Sequence, residues 1–378
     1  MRIADTGRPP SEPSSDTASA VLTVDLAAIV TNYDLLRRQV GGAGCAAVVK
    51  ADAYGLGADR VAPALARAGC RTFFVAQVEE GVALRGILGP DVEIAILNGT
   101  TPGSEGACVA HGLVPVLNTD VQRRAWIALS GRLDRRLPAI LQVDTGMARF
   151  GFASNEFDRL LEDPSSLDGI ELRLVMSHLA CADEPGSPAN NAQRQAFDRV
   201  RRRLPGVPAS LAASSGIFLG PDFHYDLVRP GAALYGIAPQ AGRPNPMRPV
   251  VTLRARVLQV RTVPAGTRVG YGHAELVRRE SRLATVAIGY ADGFFRSSSG
   301  AGEAWSDGCR LPLVGRVSMD SIILDATDAP PDAVRSGSLV DLFGPDRDVD
   351  AVASAAGTIG YEVLTGLGRR FHRTFLDA

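Results

Sequence analysis

The chain has 378 residues and a formal net charge of −1 at pH 7. That balance gives no electrostatic pull toward nucleic acid or an anionic membrane, so neither is expected as a partner, and a small-molecule substrate is favoured. The five cysteines, Cys45, Cys70, Cys108, Cys181 and Cys309, are odd in number, widely spaced and lack a C-x-x-C pair, which argues against a disulfide framework or a zinc site and fits a reducing cytoplasm.

Residues 1–20 are rich in Pro, Ser and small polar residues and read as a disordered tail; they carry no charged-then-apolar signal pattern. No later apolar stretch has the length that spans a bilayer. From Val21 onward, short apolar runs alternate with amphipathic segments. The runs are Cys45 to Lys50, Thr72 to Ala76, Glu93 to Leu97, Val114 to Leu117, Ala139 to Val143, Leu172 to Ser177, Ala209 to Ala213 and Asp226 to Arg229. Eight strand-like runs with helix-like intervals predict an α/β fold, a TIM-type (β/α)8 barrel over residues 21–245. The first interval fits a helix capped by Asp25, with Leu26, Ile29, Val30, Tyr33 and Leu36 on one face. After a joint containing Pro239, Pro244, Pro246 and Pro249, the pattern turns to strands at Val250 to Val263, Leu283 to Ile288, Leu311 to Val317 and Ser338 to Phe343. Residues 246–378 are thus expected to form a mostly β C-terminal domain, with a last helix near Asp350 to Gly357.

Of the 40 basic residues only Lys50 is a lysine, which leaves 39 arginines. Arginine replaces lysine wherever a surface cation suffices, but it cannot replace an amine nucleophile, because guanidinium stays protonated. Lys50 ends the apolar run Cys45-Ala46-Ala47-Val48-Val49, which reads as a buried strand rather than a solvated face. In such barrels, chemistry gathers at the C-terminal ends of the strands. Four further strand ends carry polar or Gly-rich loops: Asp144 to Arg149, His178, Ser214-Ser215-Gly216 and Arg229-Pro230-Gly231. Together with Lys50 they point to one phosphate-bearing ligand. His111, His224, His273 and His372 lack metal-ligand spacing, and no metal is expected.

These motifs resemble the alanine racemase family over nearly the whole chain from Val21. The lysine motif stands as Ala47-Val48-Val49-Lys50-Ala51-Asp52-Ala53-Tyr54-Gly55-Leu56-Gly57, and the arginine loop as Val143 to Gly151. The histidine motif is Ser177-His178-Leu179-Ala180 with Asp183, and the turn that meets the pyridine ring is Val228-Arg229-Pro230-Gly231 with Tyr235-Gly236. In the second domain Gly270-Tyr271-Gly272, Ile288 to Gly293, Gly315 to Asp320 and Gly360-Tyr361-Glu362 match as well.

The resemblance implies a homodimeric, pyridoxal 5'-phosphate-dependent enzyme that interconverts L-alanine and D-alanine, for peptidoglycan synthesis or alanine breakdown. It implies Lys50 as the Schiff-base lysine and the base for D-alanine, and Tyr271 of the partner subunit as the base for L-alanine, with Arg229 and His178 as helpers. Arg229 is implied at the pyridine nitrogen and Arg149 at the ring hydroxyl. Tyr54, Ser214, Tyr361 and the backbone N–H groups of Gly231 and Ala232 are implied on the phosphate. Arg149 and the Met319 backbone are implied at the substrate carboxylate, and Asp320 as an anchor of the Tyr271 loop. Asp183, Tyr290, Arg296 and Arg316 match positions lining the substrate access channel.

Three positions depart from the family pattern. Gln142 replaces a lysine that can be carbamylated, so a neutral Gln142 is expected to orient Arg149, with an inorganic anion restoring charge balance. Leu56 replaces a histidine and Ala213 an asparagine, and neither touches the two bases. The rival readings are a broad-specificity racemase of the same fold, a decarboxylase, a non-catalytic cofactor-binding protein and a cofactor-free Schiff-base aldolase. Arg229 argues against the decarboxylase, Tyr271 and the second domain against the binding protein, and the phosphate-holding residues against the aldolase.

Overall fold

The computed structural model describes residues 14–377. The chain divides into two compact units, Leu26–Arg248 and a second built from Pro249–Asp377 together with the described residues up to Asp25.

The first unit is the expected (β/α)8 barrel. Strands Ala47–Val48, Thr72–Val75, Glu93–Ile96, Leu113–Leu117, Leu137–Gln142, Ile170–Met176 and Ala209–Ser210 run in parallel, each beside the next in sequence. A bridge from Ala213 to Arg229 brings in Leu227–Val228, which pairs in parallel with Gly44–Cys45 and so returns to the first strand. The first strand is interrupted at Ala46, whose N–H still donates to the Val228 carbonyl at 2.9 Å. All eight apolar runs therefore become barrel strands. Their Ile, Val, Leu and Phe side chains are almost wholly buried, as parallel strands covered on both faces require.

Helix Leu26–Val40 buries Leu26, Ile29, Tyr33 and Leu36 as its period predicts, leaves Val30 half-buried, and adds Asn32 to that face. The Asn32 amide is satisfied there: Nδ2 donates to the Leu234 and Arg248 carbonyls at 3.2 and 2.9 Å, and Oδ1 accepts from Arg248 N–H at 2.8 Å. A fully buried amide with all these partners fixes the helix against the chain leaving the barrel.

The second unit is built on an eight-stranded sheet around the long strand Val251–Val263. That strand meets Ala20–Asp25 and Leu339–Phe343 near its start and Ser281–Val286 near its end, with register shifts between Leu253 and Arg254 and between Val257 and Gln259. Such bulges bend a strand and let one segment serve two pairing directions.

Here the domain boundary differs from the expected Val21. Strand Ala20–Asp25 pairs antiparallel with Val251–Val263, placing Leu22 opposite Leu253, and in parallel with His372–Leu376. Both neighbours belong to the β unit, so the N-terminal strand belongs to that sheet, and the barrel unit begins with the helix at Leu26. The second boundary falls at Arg248 and Pro249, three residues beyond the expected joint. Of the tail expected over residues 1–20, residues 1–13 lie outside the described residues. Residues 14–20 are held: Ala18 is buried, and Arg256 donates to the Ala18 and Ser15 carbonyls at 3.1 and 3.2 Å. The helix Val349–Ala356 stands where one was expected, but a further helix, Gly360–Thr365, follows it and carries Tyr361.

Candidate active site

Lys50 stands at the end of the first barrel strand, where the chain enters an unusual turn. Ala51, Asp52, Ala53 and Tyr54 have φ of 52, 55, 52 and 58°, a left-handed helical turn made without glycine. Each such residue costs roughly 1–2 kcal/mol relative to the right-handed form. The turn persists because its surroundings bind it. Ala53 N–H donates to the Val49 carbonyl at 2.9 Å, Gly57 N–H to the Asp52 carbonyl at 2.9 Å, and Ala58 N–H to Asp52 Oδ1 at 2.7 Å. The Ala51 N–H reaches Glu80 Oε1 at 2.7 Å. Strain of this kind gathers at functional sites. Burial lowers the proton affinity of the Lys50 amine, Arg149 lowers it further and Glu80 opposes both, so the amine is biased toward its nucleophilic form.

Tyr54 ends the turn, and its ring stacks on Tyr235 with centroids 4.6 Å apart. Tyr235 donates its hydroxyl to the Val48 carbonyl at 3.0 Å, tying the pair to the lysine strand. The Tyr54 hydroxyl comes so close to Gly231 that a Cβ there would collide with it, 3.1 Å from Tyr54 Cζ and 3.2 Å from Val48 Cβ. Ser214 Oγ accepts from the Gly231 and Ala233 N–H groups at 3.0 and 3.1 Å. Accepting twice leaves the Ser214 proton free to be donated to an anion. Of the two backbone donors expected on the phosphate, Gly231 is thus engaged by Ser214 in this structure, and Ala232 opens the 3-10 turn Ala232–Tyr235.

Arg229 is 2% exposed. Its guanidinium donates to the Ser177 carbonyl at 2.7 Å, the Leu211 carbonyl at 3.4 Å and the Ser210 hydroxyl, and lies 3.4 Å from His178 Nδ1. Burial pushes its pKa down to about 9, which still leaves a cation at neutral pH. His178 is pushed down to about 3, by burial first and then by Arg229, Arg149 and Lys50. At neutral pH that leaves it an uncharged imidazole with one N–H to donate.

The arginine loop is wound on Asp144, whose carboxylate accepts from the N–H groups of Gly146, Met147 and Ala148 at 2.8–2.9 Å. Gln142 is buried and donates through Nε2 to the Phe150 carbonyl at 3.3 Å. Phe150 is the residue that follows Arg149. Thr145 and Ser177 share a hydrogen bond of 2.8 Å, and Gln193 bridges Thr145, the His178 carbonyl and the Ala180 N–H. Sequence reasoning missed Ser210, Gln193 and Glu80. Gln193 carries no signal in the sequence, Ser210 lies within a recognised strand, and Glu80 has the spacing of a helix-start residue.

The β unit gathers its own set. Tyr271 is 69% exposed, on the 3-10 turn Tyr271–His273 between Gly270 and Gly272 at φ of 73 and 68°. A Cβ on Gly272 would lie 3.2 Å from Arg316 Nη1, so this turn rests on the Arg316 loop. In the same loop the carbonyls of Ser318 and Met319 accept from Tyr290 and Ala291 N–H, both at 3.0 Å. Tyr271, Tyr290, Arg316 and Met319 are therefore brought together. Asp320 pairs with Arg370 at 2.8 Å, and Arg370 also holds the buried Asp292 at 2.6 Å. Asp320 thus anchors the Asp292 turn through Arg370. Arg296 is exposed and opens a separate turn, Arg296–Ser298, whose Ser298 is buried. In the barrel unit Asp183 is exposed, and its carbonyl accepts from Ala241 N–H at 2.9 Å. Among the described residues no cluster of His, Cys, Asp and Glu suits a metal, and the five cysteines are free.

Residues 24–239 match the alanine racemase N-terminal domain, and residues 250–375 match the C-terminal domain. The chain belongs to the alanine racemase family. It is 55% identical over 371 residues to "Alanine racemase, catabolic" of Mesorhizobium japonicum, covering 98% of this chain and 96% of the relative. It is 48% identical to the alanine racemase of Brucella canis, over 95% of this chain and 94% of that one. The crystal structure of alanine racemase from Bartonella henselae with covalently bound pyridoxal phosphate superposes with a TM-score of 0.91 at 45% identity, covering 95% and 100% of the two chains. For the biosynthetic enzyme of Pseudomonas aeruginosa the TM-score is 0.89 at 35% identity, over 95% and 100%.

The barrel residues fit pyridoxal 5'-phosphate. A desolvated amine stands where a covalent link is needed, Ser214 accepts two backbone N–H groups and keeps its own proton to donate, and the buried Arg229 has neutral partners, as suits a donor facing a ring nitrogen.

Proposed function

We propose that this chain interconverts L-alanine and D-alanine as a homodimer, with pyridoxal 5'-phosphate held on Lys50 and Tyr271 of the partner subunit as the second proton carrier. Isomerisation of alanine with this cofactor is the activity of the family to which the chain belongs. The observation that carries the assignment is the sole lysine, desolvated at a barrel strand end and biased toward the free amine.

When bound, the cofactor supplies the electron sink that makes a Cα proton acidic enough to move. Inversion then needs one proton carrier on each face of Cα. Lys50 Nζ serves the D-alanine face and the Tyr271 hydroxyl the L-alanine face. Arg149 and the Met319 N–H orient the substrate carboxylate, and Arg149 also meets the ring hydroxyl. Arg229, a permanent cation with neutral partners, donates to the ring nitrogen and disfavours its protonation. Tyr54, Ser214, Tyr361 and the backbone N–H groups of Gly231 and Ala232 hold the phosphate. Asp183, Tyr290, Arg296 and Arg316 line the access channel.

The exposed Tyr271, Tyr290 and Met319, on turns of the β unit that rest on one another, support a dimer with shared sites, because a contiguous exposed apolar patch marks a contact surface. Free cysteines support a reducing cytoplasm. The interconversion serves either peptidoglycan synthesis, by supplying D-alanine, or alanine breakdown.

The decisive experiment is Lys50→Ala. The variant is expected to lose the visible absorbance of the bound cofactor and any borohydride-fixed adduct. Retention of a fixed adduct overturns the assignment. Interconversion assays with both enantiomers of alanine, serine, lysine and arginine test the substrate, and equal rates on a basic amino acid would replace alanine specificity with a broad-specificity racemase.

A further inference from the structure

Glu80 occupies the third position of helix Val78–Leu88, and its carboxylate collects three backbone N–H groups. Oε2 accepts from Ala76 at 2.7 Å and from Gln77 at 3.1 Å, which closes the start of its own helix. That closure makes no use of Oε1. Oε1 instead accepts at 2.7 Å from Ala51, the residue after Lys50 and the first of the four left-handed residues. One carboxylate thus ties a helix start to the strained turn that carries the amine.

We propose that Glu80 is a positioning residue for Lys50: through the Ala51 N–H it holds the left-handed turn that presents the amine, and its charge offsets that of Arg149 there. This rests on Lys50 being the cofactor-bearing amine. The charged groups acting on that amine are Arg149 and Glu80, in opposite senses. His178, which feels Lys50 in turn, is neutral. An ordinary capping role needs only Oε2, whereas positioning needs Oε1 and the negative charge.

Because the chain has one lysine, the amine can be read alone. Full-length protein freed of cofactor is reductively methylated with carbon-13 formaldehyde and titrated by NMR, where the Lys50 signal is assigned as the one absent from Lys50→Ala. In Glu80→Gln the amide oxygen can serve Ala51 or the helix start but not both, and the charge is gone. The Lys50 midpoint is expected to fall by about half a pH unit or more, and pyridoxal 5'-phosphate to bind about tenfold more weakly after reconstitution. Glu79→Gln, which removes a charge from the same helical turn at an exposed position, is expected to change neither. Glu80→Asp keeps the charge and restores the midpoint in part; it also serves should the glutamine variant not fold. A lower thermal midpoint with unchanged Lys50 titration and cofactor affinity overturns the proposal and leaves Glu80 a helix cap. The amine titration involves no cofactor, so it can fail while Lys50→Ala still behaves as expected, and the reverse.

Discussion

Nη2 of Arg229 stands 3.4 Å from Nδ1 of His178, so a buried cation faces an imidazole that must accept rather than donate at that nitrogen. With burial as the main cause and Arg229, Arg149 and Lys50 adding to it, the imidazole stays neutral, its pKa pushed down to about 3. A histidine whose pKa is lower folded than unfolded binds its proton first in the unfolded state. Stability is therefore full above the ordinary value of about 6.5 and is lost as pH falls from there toward 3. His178→Asn is expected to flatten this acid-side loss, seen as urea midpoints at pH 7, 5 and 4 that converge on the wild type as pH drops. Parallel curves would show that His178 does not contribute.

Replacing Arg229 with glutamine leaves some of the acceptors at Ser177, Ser210 and Leu211 without a donor in a buried place. An unsatisfied buried polar group costs about 1–3 kcal/mol. Arg229→Gln should lower stability by that order in urea melts. The His178 pKa should rise, because one of the cations depressing it is gone, yet remain below its ordinary value because burial is the larger cause. NMR of the imidazole carbons reads both the rise and its limit.

Gly231 has φ of −128°, which any residue can adopt, so its need for glycine is steric alone. A Cβ would strike the Tyr54 hydroxyl and press on Val48 Cβ at 3.2 Å. Gly231→Ala is expected to cost about 1–3 kcal/mol of stability, the range for overpacking. It should also weaken pyridoxal 5'-phosphate binding about tenfold or more by displacing Tyr54, as equilibrium absorbance titration would measure. Gly231→Ala combined with Tyr54→Phe should recover part of the stability, since the hydroxyl is the nearest obstacle.

Much of this site was legible because its residues end apolar runs. Lys50, His178 and Arg229 lie at strand ends that the alternation of runs marks out, and strand ends meet at one mouth. What was not legible depends on distant partners. Residues 21–25 read as the start of the barrel unit that follows them, and only pairing with Val251–Val263, more than 200 residues later, assigns strand Ala20–Asp25 to the β unit. The turn Ala51–Tyr54 is equally hidden, because Ala, Ala and Tyr have no preference for left-handed φ and Asp only a weak one. It is imposed by Glu80, Val49 and the Gly57 region, contacts that no local pattern encodes. The pairing of Asp320 with Arg370, fifty residues further on and also bound to Asp292, is likewise carried by no local pattern.

Gln142 is buried and holds the Phe150 carbonyl, so its effect on Arg149 passes through the loop backbone. Gln142→Leu keeps the volume and removes the donor. The expected result is a several-fold higher KM for alanine with bound cofactor retained, because the loop that presents Arg149 loses one of its ties while Lys50, Tyr54 and Ser214 are untouched. Steady-state kinetics in both directions checks this, and a loss of cofactor instead of a KM change would place Gln142 in the cofactor site itself.

Tyr271 offers the sharpest separation of chemistry from structure. Its turn is set by the positive φ of Gly270 and Gly272 and by the Arg316 loop, and its side chain is mostly exposed in the single chain. Tyr271→Phe removes one oxygen and none of those supports. Folding and cofactor absorbance should therefore match the wild type, while removal of the L-alanine proton loses its base. Positioned acid–base groups contribute about a hundredfold or more, so L-to-D turnover should fall by at least that order. Exchange of the D-alanine Cα proton with deuterated solvent, which needs only Lys50, should persist in the variant. If exchange from the two enantiomers falls equally, Tyr271 does not distinguish the two faces of Cα, and the division of labour with Lys50 is wrong.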